Sequence, residues 1–86
     1  MKEFIEFIAK SLVDKPEMVR VEETTEEGKL KYMLYVDEDE TGKVIGRMGR
    51  TAKAIRTLLS AVASKQGKRA TLEIPDKFKK EHLNNF

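Results

Sequence analysis

The segment Gly46–Gly49, with the sequence Gly-Arg-Met-Gly, carries the residue types best suited to binding an anion. Its two glycines lack the Cβ atoms that keep a ligand backbone away from a turn, and they allow backbone angles that aim amide N–H groups outward. The segment also leads into a predicted helix, whose unsatisfied amides and positive dipole end attract phosphate. Because Arg47, Arg50 and Lys53 add cationic side chains near the same point, the sequence indicates a phosphate-binding turn.

The sequence does not have the residue types or spacings that metal binding, nucleophilic catalysis or nucleotide binding requires. It has no cysteine, so thiolate zinc sites and cysteine nucleophiles are excluded, and its one histidine, His82, cannot alone build a metal site or a Ser-His-Asp triad. The acidic run Asp37–Glu40 does not follow calcium-loop spacing, since Met48 stands where position 12 of such a loop needs glutamate. The glycines match neither a Walker motif nor a Rossmann motif. We therefore expect no enzyme activity, no cofactor and no metal.

Length and charge set further limits. Eighty-six residues (9.9 kDa) suffice for a single domain with one thin core. The chain holds 17 basic and 15 acidic residues, but residues 43–72 contain eight basic residues and no acidic one. This asymmetry favours a polyanion at one face, although a solvated basic helix face explains it equally well. No apolar run approaches the ~20 residues that span a bilayer, so we expect a cytoplasmic protein without a membrane partner.

Periodicity in the first half of the chain predicts one helix and two strands. Apolar residues at helical spacing predict an amphipathic helix over Lys2–Val13, which Pro16 ends. A short strand is predicted at Met18–Glu23, followed by a polar turn over Thr24–Gly28. Alternating apolar residues then predict a second strand over Lys29–Val36 with one packed face.

The second half of the chain predicts two helices and a strand around the Gly-Arg-Met-Gly turn. A short helix is expected at Thr41–Ile45, and the longest helix over Thr51–Gln66, with Gly67 as a left-handed C-cap. Arg69–Ile74 is the last predicted strand, and residues 76–86 form a partly ordered or helical tail. The order helix, strand, strand, short helix, long helix, strand predicts an α+β two-layer domain over residues 1–75, with helices on one face of a three-stranded sheet.

The long helix presents two apolar surfaces. The side predicted to pack on the sheet carries Ala52, Ile55, Leu59, Val62 and Gln66. A second strip flanks it and carries Ala54, Leu58 and Ala61. This second strip is either part of a wide core face or a surface for self-association or a partner, because its small residues let another backbone approach closely.

The region 44–56 resembles a KH domain. The apolar pair Val44 and Ile45 precedes the GxxG turn, Ile55 follows on the next helix, and a strand lies on each side. In KH domains a GxxG loop clamps roughly four backbone nucleotides of a single strand. The additional helix and strand that come first resemble the type II arrangement (α-β-β-α-α-β). Over residues 1–75 the chain is similar to the KhpA (YlqC-like) family of small bacterial KH-domain RNA-binding proteins.

The resemblance implies a non-enzymatic, single-stranded RNA-binding protein, an RNA chaperone or adaptor. The GxxG residues would contact the phosphate backbone, and Ile45 would line a groove for bases. Met48 stands where the family commonly has lysine, and Arg50 and Lys53 compensate for that charge. The implied RNA-binding set is Lys43, Ile45, Gly46, Arg47, Met48, Gly49, Arg50 and Lys53.

The resemblance also implies partners. Family members look like dimer formers that also pair with a larger Jag-like (KhpB-like) KH protein. This resemblance favours the strip Ala54, Leu58 and Ala61 as the contact surface. It also points to roles in cell growth, shape, division and cell-wall biogenesis. The alternative reading is a protein-interaction (dimerisation) module with weak or vestigial RNA binding. Tyr32 suits strand packing, and its alternative role is to stack on a base.

Overall fold

The computed structural model describes residues 1–75. It contains three helices and three strands in the predicted order, linked by short 3-10 turns. The elements are α1 (Lys2–Leu12), β1 (Arg20–Glu26), β2 (Lys29–Tyr35), α2 (Thr41–Ile45), α3 (Arg50–Lys65) and β3 (Arg69–Glu73). The expected tail, residues 76–86, lies outside the described residues.

The three strands form one mixed sheet in the order β1-β2-β3. β1 and β2 are antiparallel, whereas β2 and β3 are parallel. A parallel pair needs a crossover connection, and α2 and α3 supply it on the sheet face that also holds α1. The predicted α+β architecture, with its helices on one face of a three-stranded sheet, is therefore confirmed.

The core lies between the helices and this sheet face. Its largest fully buried side chains are Tyr32, Ile5, Leu34, Leu59 and Val44. They come from α1, β2, α2 and α3, so each of these elements is held by apolar burial. Val44 is 0% exposed one residue before Ile45, so the end of α2 is fixed in the core at the point where the chain enters the GxxG turn.

The start of the sheet differs from the sequence prediction. Met18 lies in a 3-10 turn that begins at Pro16, and β1 begins at Arg20. The strand continues to Glu26, so the polar turn predicted over Thr24–Gly28 is wrong. Only two residues connect the strands, since Glu26 pairs directly with Lys29. A two-residue hairpin turn leaves the preceding polar residues free to pair across the strands.

The packed side of α3 agrees with the prediction in part. Ala52, Ile55 and Leu59 are buried as expected. Val62, however, is 44% exposed, and Gln66 is an exposed C-cap residue. Ala63 is buried instead, because it lies four residues after Leu59 on the same helix face.

The end of α3 has the predicted cap. Gly67 has a φ of 71°, and the Lys68 N–H donates to the Ala63 carbonyl at 2.9 Å. This is the hydrogen-bond pattern of a Schellman cap, which turns the chain towards β3. Within residues 1–75 no helix is both long and apolar enough to cross a membrane.

Candidate nucleic-acid interface

The GxxG loop joins α2 to α3 through unusual backbone angles. Gly46, Met48 and Gly49 have φ angles of 79°, 58° and 74°. A Cβ atom on Gly46 would lie 2.7 Å from the Thr51 Cβ, so this position needs glycine for space as well as for its φ. Around Gly49, by contrast, an added Cβ would meet open space. The loop is therefore packed against α3 at its first glycine and open at its second.

The backbone amides of this loop divide into bonded and available groups. The Gly46 N–H donates to Gly42 at 2.9 Å, and the Gly49 N–H donates to Gly46 at 3.0 Å. The Arg50 N–H donates to the Arg47 carbonyl. Within residues 1–75, the Arg47 and Met48 N–H groups have no acceptor. Two consecutive amides at the tip of the loop are thus available to a ligand, although the motif contains four residues.

Three cationic side chains surround these two amides in sequence and remain exposed. Arg47, Arg50 and Lys53 form no ion pair with any carboxylate of residues 1–75. Met48 lies between the arginines and is 85% exposed. Because both the amides and the cations favour negative charge, this end of α3 is suited to phosphate groups.

Lys43 has a different environment from the other predicted RNA contacts. Its Nζ lies 2.6 Å from Asp14 Oδ2 and 3.4 Å from Glu40 Oε2. The hydrogen bond with Asp14 raises the pKa of Lys43, and the same bond lowers the pKa of Asp14. An RNA contact by Lys43 stays a prediction, since its ammonium group already has two carboxylate partners.

Ile45 is the residue predicted to line a groove for bases. It is half-buried at the last position of α2, beside the loop. Arg56 lies on α3, reaches β3 and donates from Nε to the Leu72 carbonyl at 3.1 Å. No local pattern of residues indicates this contact, because it depends on how α3 lies along the sheet edge. A groove for bases around Ile45 stays a prediction.

Tyr32 is a packing residue, as its strand position predicted. It is 1% exposed, and its hydroxyl donates to Glu23 Oε1 at 3.1 Å. Burial raises the pKa of Tyr32 to about 12, and the bond to Glu23 adds to the effect. Its alternative role of stacking on a base is wrong, because the ring lies inside the core.

The second apolar strip of α3 is open to solvent. Ala54, Leu58 and Ala61 are exposed, which excludes the reading of the strip as part of a wide core face. An apolar groove adjoins the strip between α3 and the start of α1, and half-exposed side chains such as Leu58, 50% exposed, line it. Its lining residues are Met1, Phe4, Leu58, Leu59 and Val62. In the described part of the chain, no three histidine, cysteine, aspartate or glutamate side chains gather as metal ligands would.

Comparison with known proteins shows that residues 2–74 match the family model of the KhpA/KhpB KH domain. The protein named "RNA-binding protein KhpA" from Clostridium perfringens is 53% identical over 74 residues, which cover 86% of this chain and 99% of that protein. Those of the same name from Chlamydia pneumoniae and Aquifex aeolicus are 51% and 49% identical, over 86% of this chain and 95% and 94% of theirs. No solved structure gives a significant match.

Proposed function

The chain belongs to the KhpA/KhpB KH-domain family, and from this premise we propose that it binds single-stranded RNA through the loop Gly46–Gly49. One observation carries the proposal: the Arg47 and Met48 amides lack an acceptor within residues 1–75, at the tip of a loop that adjoins exposed cations. A phosphate oxygen accepts hydrogen bonds from such amides, and the first turn of α3 adds the positive end of its dipole. The proposed activity is binding without catalysis.

Each side chain has a distinct part in this proposal. Arg47, Arg50 and Lys53 neutralise phosphates along the strand, whereas Ile45 offers an apolar surface to the adjacent bases. Met48 contributes its backbone amide and an uncharged side chain. Backbone contacts carry little sequence information, so we propose a role as an RNA chaperone or adaptor in the cytoplasm that acts on many RNAs.

The test replaces Arg47 and Met48 together with aspartate and measures the affinity for a short single-stranded RNA as salt is varied. On a log–log plot the affinity of the unmodified protein falls with salt, with a slope of about −0.7 for each neutralised phosphate of a single strand. We expect the double variant to bind at least tenfold more weakly with a shallower slope, because two loop contacts become repulsive.

The matched control carries Lys2→Asp and Met18→Asp, two exposed positions with the same total change of charge. We expect it to keep the slope and most of the affinity. If the control and the loop variant lose affinity equally, net charge explains the binding and the loop is not the site.

A second function is favoured by the apolar groove beside Ala54, Leu58 and Ala61. Phe4 and Val62 expose 40% and 44% of their surface there, and a contiguous exposed apolar patch is typical of a protein-interaction site. We infer that this face pairs with a second copy of the chain or with a Jag/KhpB-like KH partner, in the control of cell growth and division. A dimer presents two loops to one RNA. Once the first loop has bound, the second is held at a high effective concentration, so the overall affinity exceeds that of either loop alone.

A further inference from the structure

The carboxylate of Glu40 is buried, although the residue belongs to an acidic run. Its side chain is only 6% exposed. It accepts hydrogen bonds from the backbone N–H of Asp14 and from that of Lys15, the latter at 2.9 Å, and Lys43 Nζ lies 3.4 Å away. A buried carboxylate is tolerated when donors satisfy it, and here three donors converge on one group.

Two ion pairs reinforce this contact. Lys43 pairs with Asp14 at 2.6 Å, and Lys15 pairs with Asp37 at 3.0 Å. The pKa of Asp37 is lowered, first by the hydrogen bond from the Asp39 N–H and then by Lys15. The connection that follows α1 is therefore joined to the segment that precedes α2, across 25 or more residues of sequence.

α2 depends on its neighbours because it has only five residues. A helix this short is not stable alone in water. Glu40 fixes the start of α2 to the connection that follows α1, Val44 anchors its last residues in the core, and Gly46 packs against Thr51 where the helix ends. Of these three anchors, Glu40 is the one that relies on a charged group.

We propose that Glu40 is a positioning residue for the GxxG loop, and this inference rests on the RNA-binding role proposed above. The carboxylate holds α2 in the orientation that points the Arg47 and Met48 amides outward before RNA arrives. A loop that is ordered in advance loses less conformational entropy on binding, so affinity increases without any contact between Glu40 and RNA.

Hydrogen exchange tests the positioning without RNA. Glu40→Gln keeps the size of the side chain but replaces one acceptor oxygen with an NH2 group. An NH2 group cannot accept the hydrogen bonds that the Asp14 and Lys15 N–H groups donate to the carboxylate. We expect the protection of the Gly46 and Gly49 amides to fall about tenfold more than that of amides in the central strand β2. Glu38→Gln is the matched control, because Glu38 belongs to the same acidic run and is exposed. It should leave all protection unchanged.

RNA binding supplies the second measurement. We expect Glu40→Gln to weaken affinity about tenfold while the salt slope stays the same, since the phosphate contacts of the bound state are unchanged. Glu40→Asp, which keeps the charge, should recover part of the loss and serves for both measurements if Glu40→Gln does not fold. Equal loss of protection in the loop and in β2, or unchanged affinity with a loosened loop, would overturn the inference. If the unmodified protein binds no RNA, the proposed function fails while exchange still decides what Glu40 positions.

Discussion

The residues of the loop Gly46–Gly49 differ in how strongly backbone angle and surrounding space restrict the amino acid at each position. Gly46 combines a φ of 79° with a close approach to Thr51, so both its conformation and its surroundings require glycine. Gly49 has a similar φ of 74° but open space, where a ligand can approach. Met48 adopts a φ of 58°, which disfavours a residue with a Cβ atom. The rest of the fold must therefore hold this backbone in place.

The buried hydroxyl of Tyr32 leads to a prediction about alkaline pH. Because the pKa of Tyr32 rises from 10.0 in the unfolded chain to about 12 in the fold, the folded state keeps a proton that the unfolded state loses. The stability from this group is complete below pH 10 and is lost as the pH rises towards 12, by about 2 kcal/mol. Tyr32→Phe should cost about 1 kcal/mol at neutral pH through the lost bond to Glu23 and should remove this alkaline loss.

Urea unfolding at a series of pH values from 7 to 12 measures both effects. The comparison with the unmodified protein isolates Tyr32, since the lysines titrate in both proteins. Parallel stability curves for the two proteins above pH 10 would show that the Tyr32 hydroxyl ionises as freely in the fold as in the unfolded chain.

Among the elements, the β1–β2 hairpin is the one that the sequence described least well. Its polar residues indicated a five-residue turn over Thr24–Gly28, but cross-strand pairing continues to Glu26 and Lys29. The turn residues Glu27 and Gly28 have φ angles of 45° and 80°. Two positive φ angles define the turn that matches the twist of the strands, and glutamate is an uncommon residue at its first position.

The hairpin turn can be improved by one substitution. Glu27→Asn should stabilise the domain by about 0.5–1 kcal/mol, because asparagine tolerates a positive φ better than glutamate does. Thermal or urea unfolding measures the gain. Glu27→Ala is the control, since it removes the same charge without relieving the backbone, and it should give no such gain. Equal stabilisation by both variants would assign the effect to charge.

At the scale of the whole molecule, charge and apolar surface are distributed unevenly. The basic stretch 43–72 supplies the loop, α3 and most of β3, and seven of its eight cations lack carboxylate partners among the described residues. The apolar groove lies on the same helix, α3, beside Leu58. A single helix thus carries the proposed RNA contacts at its first turn and a candidate protein contact further along.

The apolar groove predicts the mass of the protein in solution. We expect a dimer of about twice 9.9 kDa by analytical ultracentrifugation, and we expect Leu58→Asp to yield the single chain, because a charge cannot be buried unpaired in an apolar contact. Thr57→Asp is the matched control, since Thr57 is the exposed residue next to Leu58 on α3 and lies outside the apolar strip, and it should leave the dimer intact. A single-chain mass for the unmodified protein would contradict the proposed dimer, and a dimer mass for all three proteins would show that Leu58 lies outside its contact surface.

Periodicity and glycine chemistry are local properties, so the amino-acid pattern alone predicts the element order, the α+β class, the cap at Gly67 and the place of the GxxG loop. The three-dimensional fold was needed to find that Ala63 rather than Val62 packs in the core, that two loop amides are available, and that Glu40 turns inward from an acidic run. Core packing and the burial of Glu40 depend on groups far apart in the chain, 25 and 26 residues for the partners of Glu40, and no local pattern specifies which of several similar carboxylates or helix positions meets its distant neighbour.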